Sequence, residues 1–351
     1  MIKTQGHPLR LGGSAYSTGK HLWKLPITTD LNGGDIDLYN HVVVGSQAGP
    51  TLTLTSTLHG VEWLSIEMLK RVVERIEPAL LTGAVIAIPV ANPSALGALR
   101  RSTPDDSDNA DLNRTFPGRH PWIPEQLAQA IVREVLPHTS ALIDFPLGIW
   151  GSSFGYVAYG IDFPDRRTNE LSKRMALAFG VPILQAAKFI ENFPGPRSLA
   201  GYAGAQLGIA SCIGELGGAG GGHVTEEEWI ETCGAGIFNV LREFGMYAGP
   251  PAARPARYLS FEGAHRVNPS KGGLLYPVNR DERFGREVVE GDLLATVVSP
   301  YTFEVMEELR APCDGYLSYF ARWYPVRPGD WAFGVIPKDG PGTRWVDADG
   351  D

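Results

Sequence analysis

Short β-rich runs alternate with amphipathic stretches over residues 41–245 of this 351-residue chain. The run TLTLTST (51–57) leads directly into VEWLSIEMLKRVVERI (61–76), where the apolar residues recur with the period of a helix. Strands that alternate with helices indicate a mixed, mostly parallel sheet with helices on both faces. Ligands bind such sheets outside the carboxyl ends of the strands, so those ends are the place to look for a site. The other predicted elements are strands at 84–92, 140–145 and 209–216 and helices at 125–136, 169–179 and 225–244.

The sequence changes character after the Pro/Ala-rich segment AGPPAARPAR (248–257). Beyond it, β segments such as GDLLATVV and GDWAFGVI are separated by Gly and Pro, and their Gly-Asp pairs suit hairpin turns. This pattern predicts a C-terminal all-β domain, a small barrel or sandwich. The predicted boundaries are therefore 1–247 for the α/β domain and 258–340 for the β domain.

Charge and composition exclude several classes of partner. The formal net charge is −8 and there is no long Lys/Arg run, so neither nucleic acid nor an anionic membrane is the expected partner. The N-terminus has no apolar stretch of signal-peptide length and no run approaches the roughly 20 apolar residues of a membrane span. The three cysteines are widely spaced without a CxxC pair, which suggests neither a disulfide framework nor a thiolate zinc site. We expect a cytoplasmic protein with a small-molecule partner, and a homo-oligomer stays open.

His59 and Glu62 lie where the first strand of this alternation ends and its helix begins. Imidazole nitrogen and carboxylate oxygen both suit Zn²⁺, and a short turn can aim side chains three residues apart at one point. Gly60 would let the backbone turn sharply between them. The pair is a candidate metal site, although a surface His beside a helix-start Glu has the same spacing.

The long polar loop at 91–119 carries Arg101, Asn113 and Arg114. Long ordered loops in compact domains are usually functional, and a planar guanidinium can bind both oxygens of a substrate carboxylate. The alternative is that the arginines only hold the loop together. In that case their partners would be acidic residues of the same loop, namely Asp105, Asp106, Asp108 or Asp111.

Glu215 ends the otherwise apolar strand IASCIGEL and is followed by GGAGGG. A carboxylate at the mouth of a sheet can acquire the pKa that a general base needs, and the glycines would leave room for a substrate. The alternative is a carboxylate that caps the next element. The segment 147–160, rich in aromatic residues, Ser and Gly, suggests either a pocket for a particular acyl or aryl group or ordinary core residues.

Taken in order, LHGVE, NP, DLNRTFPG, GELGG and the C-terminal LRAPCDGYLSYF and YPVRPGDWAFGVI resemble the succinylglutamate desuccinylase/aspartoacylase family over residues 40–338. The resemblance implies a zinc carboxypeptidase-like fold with one Zn²⁺ per chain. It makes His59 and Glu62 the first two zinc ligands and Glu215 the general acid/base. In the family the metal polarises an amide carbonyl and helps to ionise a water, whose proton the glutamate passes to the leaving amine. By the same resemblance, the substrate's carboxylate end is held by Arg101, Asn113 and Arg114.

The chain departs from the family pattern at the third zinc ligand. Relatives have Asp-Leu-His at the end of the central strand, with the histidine on the metal, whereas this chain has Asp144-Phe145-Pro146. Pro146 cannot coordinate, and two protein ligands should hold zinc less tightly than three. Asp144 or His223 could supply the third ligand, although Asp144 could instead orient His59, and His223 could simply be solvated.

We therefore expect a metal-dependent deacylase that hydrolyses the amide bond of a small N-acyl amino acid or related metabolite with a carboxylate. The alternative is a metal-free or divergent member of the family. It would be either a ligand-binding pseudoenzyme or an enzyme that performs a different reaction on a carboxylate-bearing substrate.

Overall fold

The computed structural model describes residues 2–104, 110–146, 151–279, 284–322 and 324–348, and every structural statement below concerns those ranges. The α/β region contains strands β1 (Leu9–Leu11), β2 (Ser14–Tyr16), β3 (Gly19–Thr29), β4 (Asp35–Val44), β5 (Gln47–Ser56), β6 (Thr82–Ile88), β7 (Ala141–Phe145), β8 (Ser152–Gly160), β9 (Ile183–Ala187) and β10 (Ala210–Gly217). Its α-helices are α1 (Leu64–Arg75), α2 (Pro93–Gly97), α3 (Ile123–Ala130), α4 (Arg166–Phe179), α5 (Leu199–Leu207) and α6 (His223–Glu243). The C-terminal strands are β11 (Arg257–Phe261), β12 (His265–Val267), β13 (Gly273–Pro277), β14 (Glu287–Val288), β15 (Leu293–Val298), β16 (Val305–Arg310), β17 (Gly315–Ala321), β18 (Tyr324–Val326), β19 (Phe333–Pro337) and β20 (Arg344–Asp347).

Four parallel strands, in the order β6-β5-β7-β10, form the centre of a 14-stranded mixed sheet in the described ranges. Successive residues of these strands point to opposite faces, and each face has its own core. Leu54 packs in the core that includes residues of α1, α4 and α6, whereas Ile86 and Leu142 pack in the core that includes residues of α3 and α5. Helices thus cover both faces, and the predicted α/β fold with added C-terminal β structure is confirmed.

The sheet continues beyond the Pro/Ala-rich segment without a break. Strand β8 pairs antiparallel with β10 on one side and with β17 on the other, where Phe154 lies opposite Tyr319. Strand β11 pairs in parallel with β9. A separate four-stranded sheet, in the order β16-β15-β13-β18, packs around its own core, which includes Leu275 and Val297. The predicted domain boundary therefore does not separate two sheets, because pairing between distant strands is a tertiary choice that local composition does not record.

Element ends differ slightly from the sequence prediction. Helix α6 begins at His223 after Gly222, not near Thr225, and α3 continues as a π turn (Ile131–Val135) and a short 3-10 turn (Leu136–His138). Among the helices in the described part of the chain, none combines the length and the apolar character that crossing a membrane would need.

Candidate active site

His59 and Glu62 occupy the turn that connects β5 to α1, at the carboxyl end of a central strand. Both side chains are buried, and His59 Nδ1 lies 2.7 Å from Glu62 Oε1. The backbone N–H of Glu62 donates to the His59 carbonyl over 3.1 Å, which closes the turn. The two predicted metal ligands are therefore brought together at one point.

The sharp bend of this turn begins at Thr57, whose φ of 54° lies in the left-handed region. Gly60 does not have a positive φ, so our explanation of this glycine was wrong. A Cβ on Gly60 would lie 2.0 Å from the backbone of Ala95, because α2 packs directly against the turn. Asn92 fixes α2 there by accepting a hydrogen bond from the Ala95 N–H (3.2 Å) and donating one to the Leu58 carbonyl (3.3 Å).

Asp111 holds the other nitrogen of the His59 ring. Its Oδ1 lies 2.8 Å from His59 Nε2 and accepts the backbone N–H of Asn113 at 2.9 Å, while its Oδ2 accepts from Arg101 at 3.2 Å. A carboxylate on the distal nitrogen is the usual support of a metal-ligating histidine. Asp144, which we considered for this role, accepts instead from the Thr55 hydroxyl at 2.7 Å.

The two carboxylates control the charge of His59. Burial lowers the pKa of His59, but the charge of Glu62 and the hydrogen bonds with Asp111 and Glu62 outweigh it and raise the pKa to about 9. The imidazolium can then donate to both carboxylates at once. Metal binding at this histidine requires the loss of one of these protons.

Arg101, Asn113 and Arg114 line one cavity together with His59 and Glu62. Asn113 Oδ1 accepts the backbone N–H of Leu199 at 2.9 Å, which ties the long loop to the start of α5. Arg114 donates to the Asn113 carbonyl at 2.7 Å, and burial lowers the pKa of its guanidinium. A partly desolvated cation favours an anionic ligand beside it.

Arg101 lines the cavity and also pairs with Asp111, so the loop-holding contact is present, while its binding of a substrate carboxylate stays a prediction. The other acidic residues of the loop that we considered as partners lie outside the described residues, namely Asp105, Asp106 and Asp108.

Glu215 lies near the carboxyl end of β10 and lines the same cavity. Burial is the main cause that raises its pKa to about 8, and the negative charges of Glu62 and Asp144 add to the shift. The following glycines make room for packing: a Cβ on Gly217 would lie 2.8 Å from Trp229, and one on Gly218 would lie 1.7 Å from the Ser152 carbonyl oxygen. These two positions therefore do not provide the space for a substrate that the sequence suggested.

The third ligand position is Pro146, which lines the cavity beside His59. Asp144 is buried but is not among the residues that line this cavity. His223 is exposed in the first turn of α6 and lines a different groove, with Trp63 and Leu99. Across the described part of the chain, no three His, Cys, Asp or Glu residues are grouped so that they could hold a metal ion. The donors thus fit a divalent cation at two positions and depart from a three-ligand zinc site at the third.

The sequence pattern of the succinylglutamate desuccinylase/aspartoacylase catalytic domain matches residues 48–244. The chain belongs to this family. It is 28% identical to the N-alpha-acetyl-L-2,4-diaminobutyric acid deacetylase of Halomonas elongata over 88% of each chain.

Two solved structures share the fold over almost their whole length. A product-bound structure of the ectoine utilization protein EutE (DoeB) from Ruegeria pomeroyi has a TM-score of 0.78 and 25% identity, covering 95% of this chain and 100% of the other. A succinylglutamate desuccinylase from Silicibacter has a TM-score of 0.77 and 26% identity, covering 95% and 98%.

Proposed function

We propose that this protein hydrolyses the amide bond of a small N-acyl amino acid, releasing a carboxylate and a free amine. The observation that carries the proposal is that Glu215, the His59–Glu62 pair and Arg114 all line one cavity. A general base, a pair of metal-type donors and a partly desolvated cation in one place suit the cleavage of an amide next to a carboxylate. Membership of the family supports the same reaction class, as does the deacetylase relative from Halomonas elongata.

The residues of the cavity have different roles in the proposed reaction. Arg101, Asn113 and Arg114 would bind the substrate's carboxylate and position its amide over Glu215. In its carboxylate form, Glu215 would accept a proton from water as the water oxygen bonds to the carbonyl carbon. The same carboxyl group would then pass that proton to the amide nitrogen as the C–N bond breaks, so that it returns to its starting state.

We also propose that His59 and Glu62 hold Zn²⁺, with about one ion per chain. Such an ion, when bound, supplies Lewis acidity toward the carbonyl and lowers the pKa of a bound water. The test is elemental analysis of the untagged protein after dialysis against zinc, compared with His59→Ala and with His138→Ala, which lies outside the cavity. We expect zinc in the wild type and in His138→Ala and its loss in His59→Ala. Wild-type protein without zinc would contradict the metal proposal.

A specific observation supports the second candidate, a metal-free or divergent member of the family. Both nitrogens of His59 already have carboxylate partners, and Pro146 stands where a third ligand would be needed. In that case the cavity would still bind a carboxylate-bearing ligand, either without turnover or in a different reaction. The cytoplasmic location and the oligomeric state stay predictions.

The decisive experiment for hydrolysis is Glu215→Gln, which keeps the shape of the side chain and removes its proton-accepting carboxylate. We expect kcat on an N-acyl amino acid to fall by about 10²- to 10⁴-fold, while the substrate's Kd changes little. The matched control is Glu170→Gln, since Glu170 is exposed on α4 and pairs with Arg166. Retention of turnover by Glu215→Gln would refute the role of this residue.

A further inference from the structure

The candidate active site opens outward into a second chamber that C-terminal residues help to form. The two cavities share Arg101, Arg114, Phe154, Phe193 and Trp331 as lining residues. A substrate whose amide lies over Glu215 therefore has a neighbouring space into which one of its substituents can extend. The outer chamber adds Arg266 and Tyr324 to this lining.

One wall of the outer chamber is aromatic. The ring of Phe154 stacks on Tyr319 with centroids 5.1 Å apart, and Trp331 lies against both, 6.4 Å from Phe154 and 6.1 Å from Tyr319. Phe154 lines the chamber from β8, and Tyr319 supports it from β17 without lining the chamber, at the place where the C-terminal strands join the catalytic sheet. Because pairing between β8 and β17 fixes Phe154 against Tyr319, this part of the wall is preorganised before a ligand arrives.

The charges around this wall are mainly positive. The Arg266 guanidinium lies 4.2 Å from the centroid of a Trp331 ring, and the guanidinium groups of Arg101 and Arg114 also line the chamber. The carboxylate of Asp330 lines it too, but it already accepts the backbone N–H of Arg327 at 2.7 Å. An ammonium group entering the chamber would meet like charges, whereas a flat π-system would meet aromatic edges and faces and planar guanidinium groups.

We propose that the outer chamber is a subsite for an aryl group of the substrate, so that the protein acts on N-acyl amino acids that carry an aromatic ring. The inference rests on the proposed deacylase function and deepens it. An alkyl group of the same size would bury a similar area but would gain neither the aromatic contact with Trp331 and Phe154 nor the cation–π contact with Arg266.

The ring could belong either to the acyl group or to the amino acid, and matched substrates distinguish the two. N-benzoylalanine and N-acetylphenylalanine carry the ring on opposite sides of the amide, and their cyclohexyl analogues have the same size without a π-system. Each aryl substrate is compared with its cyclohexyl analogue by kcat/KM. The aryl substrate with the higher kcat/KM of its pair shows on which side of the amide the ring is bound. We expect that preference to be about tenfold, and Nα-acetyl-lysine to be a poor substrate because of its ammonium group.

The variants test whether Trp331 causes the preference. Trp331→Leu should lower the ratio of aryl to cyclohexyl kcat/KM by about tenfold, and Trp331→Phe should keep part of it. The matched control is Trp345→Leu, because Trp345 also lies under an arginine, with Arg257 at 5.7 Å, but lines neither chamber. Arg266→Gln, at an exposed position, gives a second test if Trp331→Leu does not fold.

Binding measurements separate failure of the subsite from failure of the proposed function. Calorimetric titration of Glu215→Gln with each aryl compound and its cyclohexyl analogue needs no turnover. One outcome is that the aryl compounds bind more tightly than their cyclohexyl analogues, that Trp331→Leu abolishes this difference, and that the wild-type protein cleaves none of the compounds. This outcome would retain the subsite and refute the deacylase proposal. Equal affinity for aryl and cyclohexyl compounds, or equal effects of Trp331→Leu on both, would overturn the subsite whatever the protein cleaves.

Discussion

The Asp111 carboxylate joins His59 of the candidate metal pair to Arg101, a proposed substrate-binding residue, so Asp111→Asn is the most informative single change. The amide can keep its oxygen toward His59 Nε2 and the Asn113 N–H, the two groups that lie 2.8 and 2.9 Å from Oδ1. Its NH₂ group would then face Arg101, where a donor meets a donor and a hydrogen bond of 3.2 Å is lost. The alternative orientation is worse, because it would turn the NH₂ group toward both of the other partners.

The magnitude follows from what is lost. Hydrogen bonds to charged groups contribute about 1.5–3 kcal/mol each, and Arg101 belongs at the low end because its side chain is 47% exposed. The bond to His59 keeps its geometry but loses the attraction between opposite charges. A total of about 1.5–3 kcal/mol of transition-state stabilisation corresponds to a fall in kcat/KM of about 10- to 150-fold. A supporting carboxylate behind a metal-ligating histidine typically has an effect of about this size.

The assay is kcat/KM on the best N-acyl amino acid, with zinc content and urea unfolding measured on the same preparation. Asp37→Asn is the control, because Asp37 is also largely buried and loses an ion pair of 2.9 Å with Lys24, but on β4 and outside the cavity. We expect that control to keep its activity. A folded Asp111→Asn protein with kcat/KM within about threefold of wild type would show that the link between His59 and Arg101 does not contribute to activity.

Two further predictions concern the electrostatics and the packing of the site. Asp144→Asn should move the rise of kcat/KM with pH to lower pH. The proposed base is the Glu215 carboxylate, and the neighbouring negative charge of Asp144 raises the pKa of Glu215. A pH profile that moves to higher pH would contradict this sign. Gly60→Ala should lower the free energy of unfolding by about 1–3 kcal/mol, because the new Cβ would meet the Ala95 backbone. A Cβ at Gly97 would meet open space, so Gly97→Ala should change the free energy of unfolding by less than about 0.5 kcal/mol. Urea unfolding compares the two glycine variants, and equal effects would contradict the close-approach argument.

The central elements of the fold could be read from the sequence because their signals are local. The periodicity of residues 61–76 and the apolar run before Glu215 appear in the structure as α1 and β10. The sequence does not show where strand β8 begins within the aromatic segment 147–160. A mixture of Ser, Gly and aromatic residues fits a strand, a hairpin and a pocket wall equally well. Residues 147–150 of that segment lie outside the described residues.

The candidate site was only partly predictable for a similar reason. The positions of His59, Glu62 and Glu215 follow from strand ends, which the alternation of strands and helices locates. The role of Asp111 was missed as a support for His59, although its place before a short helical turn was a signal that its side chain is fixed: it caps Leu112–Arg114 by accepting the Asn113 N–H. The same carboxylate also contacts His59, which lies 52 residues away along the chain. A local sequence pattern cannot show such a contact.

By itself, the sequence determined the parallel α/β core, the edge of the sheet where the site lies, the family and the absence of a histidine at position 146. Each of these is carried by residue type or by spacing along the chain. Only the tertiary structure decided that Asp111, not Asp144, contacts the His59 ring, and that His223 lies in another groove. It also decided that β17 joins the catalytic sheet at β8 and that Trp331 packs against Phe154 at the outer chamber. These outcomes depend on which distant segments pack together, and burial and pairing energies summed over the whole chain decide that packing.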